Sequence, residues 1–215
     1  MNNDKHLKQA VLNELNWEPS VKATDIGVSA KDGVVTLMGT VGSFAEKHAA
    51  EEAALRVKDV KAVAEEIEVK LPLGVEHGDT EIAAAAVARL SWDASVPRDQ
   101  VKVTVAKGWL TLTGEVEWRY QHEAAAAAVR TLWGVVGVSN QISIKPAVKS
   151  EDIKADIVKA LHRSWLQPTT IEVAASGGKV TLTGTVDYWD ERALAGTTAW
   201  AAPGVTSVAN EIRVD

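Results

Sequence analysis

The chain has 215 residues, of which 46% are hydrophobic and 24% are charged. This composition is typical of a folded protein and argues against a disordered chain, which combines low hydrophobicity with high net charge. The absence of cysteine excludes disulfides, thiolate metal sites and thiol nucleophiles. The net charge of -6 argues against binding nucleic acid through bulk charge, which requires an excess of basic side chains.

The sequence has no apolar run long enough to span a membrane. Its longest apolar stretches, 82–88 and 124–129, are short and rich in alanine. Residues 1–15 carry several charges and lack the apolar core of a secretory signal. We therefore expect a cytoplasmic protein, which could lie at the membrane periphery, or a periplasmic one if a signal has been removed.

A nine-residue segment occurs three times. GVVTLMGTV at 33–41 recurs as GWLTLTGEV at 108–116 and as GKVTLTGTV at 178–186. The first two copies are offset by 75 residues (108 − 33) and the last two by 70 (178 − 108). Between the first two copies the match extends without a gap well beyond this segment. The chain is therefore predicted to consist of three copies of one unit, at residues 1–70, 77–146 and 149–215.

Each unit is predicted to open with an amphipathic helix. Leu7, Val11 and Leu15 are spaced by four residues and share one helical face. The matching residues of the other units are Ile82, Ala86, Leu90, Ile153, Ile157 and Leu161. A side-chain oxygen just before each helix can accept a free backbone N–H, which predicts Asp4, Asp79 and Ser150 as N-caps.

Two strands, a second helix and a third strand follow in each unit. Apolar residues alternate with polar ones in the strands, as at Val35 and Leu37, which are separated by one polar residue. One face of the sheet is therefore apolar and the other is exposed to solvent. Both helices must then cover the same face. The sequence predicts an α+β fold of three tandem αββαβ units, each a two-layer sandwich of a three-stranded mixed sheet with two helices on one face.

The repeated pattern G-x-[VL]-x-L-x-G-x-V, followed later by V-x-x-V-x-x-x-[IV]-x-V, resembles the BON domain (bacterial OsmY and nodulation). The resemblance covers almost the whole chain and implies a non-enzymatic module without a cofactor. It also implies association with phospholipid or another hydrophobic ligand, at a membrane, in osmotic or envelope stress.

No residue pattern predicts catalysis, a metal site or a cofactor. The five histidines stand at no metal-ligand spacing. The acidic pairs 51–52, 65–66 and 190–191 do not recur between units, and we interpret them as solvated. No phosphate-binding glycine motif is present.

Two glycines recur in every unit. The first is predicted to occupy a hairpin turn, at Gly33, Gly108 and Gly178. The second is predicted to mark a bulge or a close approach of helix and sheet, at Gly39, Gly114 and Gly184.

The eight tryptophans are the main functional candidates. Three of them end the first helix of each unit and are interpreted as packing residues: Trp17, Trp92 and Trp165. Aromatic and basic residues between the second strand and second helix suit a membrane interface with anionic lipid. The candidates for binding lipid or a partner are Trp118, Arg119, Tyr188, Trp189 and Arg192. The alternative is a structural or chaperone-like homo-oligomer in which these rings lie between repeats or subunits.

Overall fold

The structure is a computed structural model that describes residues 2–74, 77–146, 152–163 and 171–214. The first repeat contains α1 (Asn2–Trp17), a 3-10 turn (Ala23–Asp25), β1 (Ile26–Lys31), β2 (Val34–Val41), α2 (Phe44–Arg56) and β3 (Ala62–Val69). The second contains α3 (Asp79–Trp92), β4 (Val101–Ala106), β5 (Trp109–Val116), α4 (Arg119–Arg130) and β6 (Gly137–Ile144). The third contains α5 (Ile153–Arg163), β7 (Ile171–Ser176), β8 (Lys179–Val186), α6 (Trp189–Trp200), β9 (Ser207–Asn210) and β10 (Arg213–Val214).

The predicted mixed sheets are confirmed. In the first repeat β2 is the central strand, antiparallel to β1 and parallel to β3. Val28 pairs with Leu37, and Val35 with Val63, so the alternating apolar residues point to one face. The third repeat has the same arrangement around β8, and the second has the order β4-β5-β6.

The last strand of the third repeat is divided into β9 and β10, although one strand was predicted there. Both parts run parallel to β8. The break follows Asn210, whose Oδ1 accepts the Ile212 N–H at 3.3 Å and whose Nδ2 donates to the Arg192 carbonyl at 2.8 Å. The amide side chain satisfies local backbone groups and competes with regular strand pairing.

The two helices of the first repeat cover the same sheet face, as predicted. Leu7, Val11 and Leu15 of α1 are buried together with three alanines of α2 and the inner residues of the strands. A separate core in the third repeat contains Ile157 and Leu161. The alanines of α2 let the helix approach the sheet closely: Ala50, Ala53 and Ala54.

By packing, the chain divides into two compact units. One comprises residues 1–93, 102–112 and 126–140, and the other comprises 94–101, 113–125 and 141–215. Residues of the second repeat therefore belong to both units.

The interpretation of Trp17 and Trp92 as packing residues is wrong. Their side chains are 83% and 88% exposed. Trp17 follows the buried Leu15 by two residues, which is a rotation of about 200° around the helix. The same spacing separates Leu90 from Trp92, so both indoles point away from the core. Trp165 lies outside the described residues.

Asp4 and Asp79 are not N-caps. Asp4 lies inside α1, and Gly78 precedes α3. Both carboxylates instead bind the turn between the first two strands of their repeat. Asp4 accepts the Asp32 N–H at 3.0 Å, and Asp79 accepts the N–H groups of Lys107 and Gly108 at 2.8 and 2.9 Å. These hydrogen bonds tie the start of each helix to the hairpin turn of the same repeat. Ser150 lies outside the described residues.

Glycine is required in the hairpin turns. Both central residues have positive φ, at Asp32 and Gly33 (52° and 86°) and at Lys107 and Gly108 (53° and 75°). This is the geometry of a type I′ turn, which favours glycine. Gly177 and Gly178 form the third turn, with φ of 58° and 86°.

The second recurring glycine is needed because another segment of backbone lies where its Cβ would be. Gly39 has φ of 137° and stays in register opposite Ile26, so no bulge lies between them. A Cβ at Gly39 would collide with the Asp25 carbonyl oxygen, and one at Gly114 would collide with that of Gln100. The close approach is between two backbone segments, and at Gly39 the neighbouring residue, Asp25, ends the 3-10 turn. Gly184 also has positive φ, at 123°.

Within the described ranges, no helix is long and apolar enough to cross a membrane.

We expect Asp79→Asn to lower the free energy of unfolding at pH 7, because a neutral amide accepts hydrogen bonds more weakly than a carboxylate. The bonds from Gly108 and Lys107 hold the pKa of Asp79 below its ordinary value. This stabilisation is present above the unfolded-state pKa of about 3.9 and is lost as the pH falls through the lower folded-state pKa. Urea unfolding of both proteins across this pH range measures the difference, which should vanish at the acid end.

Asp187→Asn is the control for this experiment. Asp187 is exposed, and its carboxylate makes no hydrogen bond within the described residues. A pH dependence equally reduced in both variants would contradict the assignment to Asp79.

Gly39→Ala is expected to destabilise the protein by about 3 kcal/mol or more, because it combines an unfavourable φ with a backbone collision. Gly74→Ala is the matched control, since Gly74 has φ of 86° but no atom near its Cβ position. It should cost about 1 kcal/mol. Equal losses in thermal unfolding would show that φ alone, and not the collision with Asp25, determines the cost.

Candidate functional site

Trp118 and Tyr188 immediately precede the helices α4 and α6. The side chain three residues later reaches back to each helix start. Gln121 Oε1 accepts the Trp118 N–H at 3.0 Å, and Glu191 Oε2 accepts the Tyr188 N–H at 3.1 Å. In the first repeat the equivalent of both aromatic residues is Ser43, whose hydroxyl accepts a first-turn N–H of α2. An aromatic residue cannot do this, so the rings at Trp118 and Tyr188 do not cap their helices.

The structure places Trp118 and Arg119 in an apolar cleft. The cleft has a volume of about 580 Å³, within the range of small-molecule sites. The Arg119 guanidinium lies 4.7 Å from the centre of the Trp200 ring, and its Nε is 2.6 Å from Glu123 Oε1. The residues that line the cleft all belong to the second compact unit: Trp118, Arg119, Tyr120, Glu123, Thr197, Trp200 and Ala201.

Tyr188 and Trp189 do not join this cleft. They lie at the start of α6, about 16 Å along the helix axis from Trp200. Their side chains are 65% and 57% exposed. The five predicted residues therefore divide into a cleft at Trp118 and Arg119 and a separate exposed patch at Tyr188 and Trp189.

Arg192 is held by the protein's own backbone. Its Nε donates to the Ile212 carbonyl and its Nη2 to the Asn210 carbonyl, both at 2.8 Å, while the guanidinium lies 5.4 Å from the centre of the Trp189 ring. These bonds join α6 to the end of the sheet. Two of the five donors of the guanidinium are thereby used internally, so Arg192 has a structural role in the third repeat.

The same position has a structural role in the first repeat. Lys47 is the equivalent of Arg192, and its Nζ donates to the Ile67 carbonyl at 2.7 Å. The second repeat has His122 at this position. Burial and the neighbouring Arg119 lower the pKa of His122, with Glu123 opposing them. Two of the three repeats therefore use a cation here to join a helix to the last strand.

Tyr120 and Trp200 also line the cleft, although the sequence pattern did not indicate them as binding residues. Trp200 ends α6, and nothing in the local sequence places it beside Arg119. The exposure of Trp17 and Trp92 was available from helical geometry, as their angle from the buried residues shows.

The described part of the chain contains no group of three or more His, Cys, Asp or Glu residues arranged to hold a metal ion.

A model of the BON domain family matches residues 3–70, 78–146 and 149–215. The chain belongs to the BON domain family. The three matches follow the three repeats of the sequence.

This BON protein is 32% identical over 130 residues to osmotically-inducible protein Y of Escherichia coli (strain K12). The match covers 59% of the chain and 65% of that relative. The chain thus matches less than two thirds of the relative's length.

Among solved structures, the chain is similar to CdsD, a structural protein of the type III secretion system of Chlamydia trachomatis. The identity is 14%, with coverage of 98% of this chain and 92% of the other and a TM-score of 0.28. The C-terminal domain of CdsD is also 14% identical, with 97% coverage of both chains and a TM-score of 0.27.

We expect Arg192→Met to destabilise the third repeat by about 2 kcal/mol, because it leaves two half-buried carbonyl groups without their charged donor. Arg119→Met is the matched control and should cost less than about 1 kcal/mol, since Arg119 has one partly exposed ion pair and one ring contact. Amide hydrogen exchange at residues 207–214 measures the effect. Equal protection in both variants would contradict the structural role of Arg192.

Proposed function

We propose that this BON protein is a non-enzymatic module that associates peripherally with phospholipid surfaces through exposed aromatic rings. The observation that carries the proposal is the exposure of Trp17 and Trp92 at the same position in two repeats. Isolated exposed apolar side chains are ordinary, but a large indole at one exposed position in successive repeats has no role in the core that would explain it.

The exposure extends to most of the tryptophans. Five of the seven that the structure describes are more than half exposed: Trp17, Trp92, Trp109, Trp133 and Trp189. Tryptophan and tyrosine favour the membrane interface, where the ring is in an apolar environment and its polar group remains hydrated. The exposed Tyr188 beside Trp189 adds a second such ring in the third repeat.

The exposed rings supply part of the free energy that membrane association requires. A Trp side chain has roughly 200 Å² of surface, and removing half of that from water contributes roughly 2.5 kcal/mol. Two such rings would offset part of the entropic cost of association. The net charge of -6 opposes binding to an anionic surface, so we expect the aromatic rings, rather than bulk charge, to supply the attraction.

The cleft at Trp118 supports the same class of ligand. Its walls are mainly aromatic and apolar, and Arg119 supplies one cation beside them. We propose that it accommodates an apolar segment of a lipid while the exposed rings contact the surface.

We further propose a role in osmotic stress. The support is the sequence similarity to the relative whose name describes it as osmotically inducible. A non-enzymatic role agrees with the lack of any repeated acid–base constellation in the sequence.

A structural or chaperone-like oligomer is the second candidate. It is favoured by the stacking of Arg119 on Trp200, where an aromatic ring already serves as a contact between two helices. This function predicts a stable oligomer by light scattering that is unaffected by vesicles.

Vesicle flotation tests the membrane proposal. The full chain should float with phosphatidylcholine and phosphatidylglycerol vesicles, with Trp emission shifted to shorter wavelength. Replacing both Trp17 and Trp92 by Ser should weaken vesicle binding about tenfold or more, because two apolar rings are lost. The pair Tyr188→Ser and Trp189→Ser tests the second patch in the same way.

Val87→Ser is the matched control. Val87 is exposed on the same helix as Trp92 but on a different side of it. Its replacement should leave flotation unchanged. Absence of flotation with either lipid, at low and high salt, would overturn the proposal, and a stable oligomer would then favour the second candidate.

A further inference from the structure

A small groove in the first compact unit has aromatic walls. The Phe44 and His48 rings line the groove and stack with their centres 6.5 Å apart. The Trp109 indole also lines it and lies directly over Gly137, where a Cβ would collide with the ring. The groove is about 280 Å³, near the lower end of small-molecule sites, which begin at roughly 300 Å³. It is therefore large enough for a small metabolite only.

Both signs of charge line this groove. Glu65 lies 3.6 Å from Lys47, whose Nζ is also bonded to the Ile67 carbonyl. Glu51 lies 3.7 Å from His48. Burial raises the pKa of Glu65, and the nearby Lys47 opposes this shift. The two carboxylates offer a partly desolvated negative region beside aromatic faces.

Arg130 is a cation of the groove that has no protein partner among the described residues. Within the part of the chain that the structure describes, its guanidinium makes no hydrogen bond or ion pair. It is half-buried at the end of α4 and lines the groove together with Trp109. A guanidinium in this position can accept a carboxylate or phosphate by two parallel hydrogen bonds.

We propose that this groove binds a small zwitterion that carries a methylated ammonium group and an anionic group. Trp109 and the Phe44–His48 pair contact the methylated ammonium through their ring faces. Glu51 and Glu65 supply its countercharge, and Arg130 binds the anionic group. Aromatic faces combined with carboxylates suit a quaternary ammonium because it is a weakly hydrated cation that cannot donate hydrogen bonds.

Only the second repeat combines an indole and a glycine at these two positions. The equivalents of Trp109 are Val34 in the first repeat and Lys179 in the third, so neither has an indole at this position. Gly137 is replaced by Ala62 and Ser207, whose side chains would occupy the space of the ring. The groove is thus not a general consequence of the repeated fold.

The proposal does not require membrane association, and it is tested in solution. The full chain, labelled with ¹⁵N, is titrated with glycine betaine and with phosphocholine, while amide chemical shifts are recorded. We expect saturable shifts around Trp109 and Arg130, with a Kd of about 1–10 mM, as is reasonable for a small open site. Glycine, whose ammonium group is not methylated, should bind more weakly.

Trp109→Val and Arg130→Gln should each weaken binding about tenfold, the effect of losing a ring contact or a charge-assisted hydrogen bond. Trp109→Val uses the residue that the first repeat has at this position. Trp133→Val and Arg89→Gln are the matched controls, since both residues are exposed and lie outside the groove. If Trp109→Val does not fold, Arg130→Gln alone decides the outcome.

The two zwitterions distinguish the source of the ligand. Tighter binding of phosphocholine, with competition by phosphatidylcholine vesicles, would indicate a lipid headgroup, whereas tighter binding of glycine betaine would indicate a free solute. Either result supports the site. No saturable shift with either compound, or unchanged binding in Arg130→Gln, would overturn it without affecting the vesicle experiment.

Discussion

The close packing of two helices on one face of a small sheet is the constraint on which the rest of the structure depends. Only one face of each sheet is apolar, and α2 reaches it because alanines form its contact surface. The space left is narrow. Leucine, isoleucine, valine and alanine fill it, and no aromatic side chain is buried among the described residues. The seven described tryptophans are thereby left at half-buried or exposed positions, where they are available for binding.

Because the three repeats share one fold, equivalent positions can carry different side chains with different roles. The residue before the second helix is Ser43 in the first repeat, where it caps α2, and an aromatic residue in the other two. Lys47 and Arg192 join helix and strand, whereas His122 replaces them in the second repeat. Because the core does not depend on these side chains, they can differ between repeats while the fold is kept. The cleft and the groove both arise from such differences.

Particular residues show how far the site could be predicted. Trp118 and Arg119 were identified from the sequence and do line a cleft, but Trp200 could not be assigned to it because the contact joins residues 81 positions apart (200 − 119). Arg192 was identified for its charge, and its hydrogen bonds to backbone carbonyls became visible only in the fold. Trp17 and Trp92 are a different case. Their repetition suggests packing, but their angle from Leu15 and Leu90 places them on the solvent side.

The sequence by itself determined the three repeats, the order of helices and strands, the turn glycines and the apolar face of the first helices. These features depend on the period of the pattern and on local backbone geometry, which neighbouring residues specify. Only the tertiary structure decided that Asp79 binds a hairpin turn, that Arg192 is held internally and that Trp109 lies over Gly137. Each of these depends on side chains meeting across distant segments, and the packing of helix on sheet sets those distances.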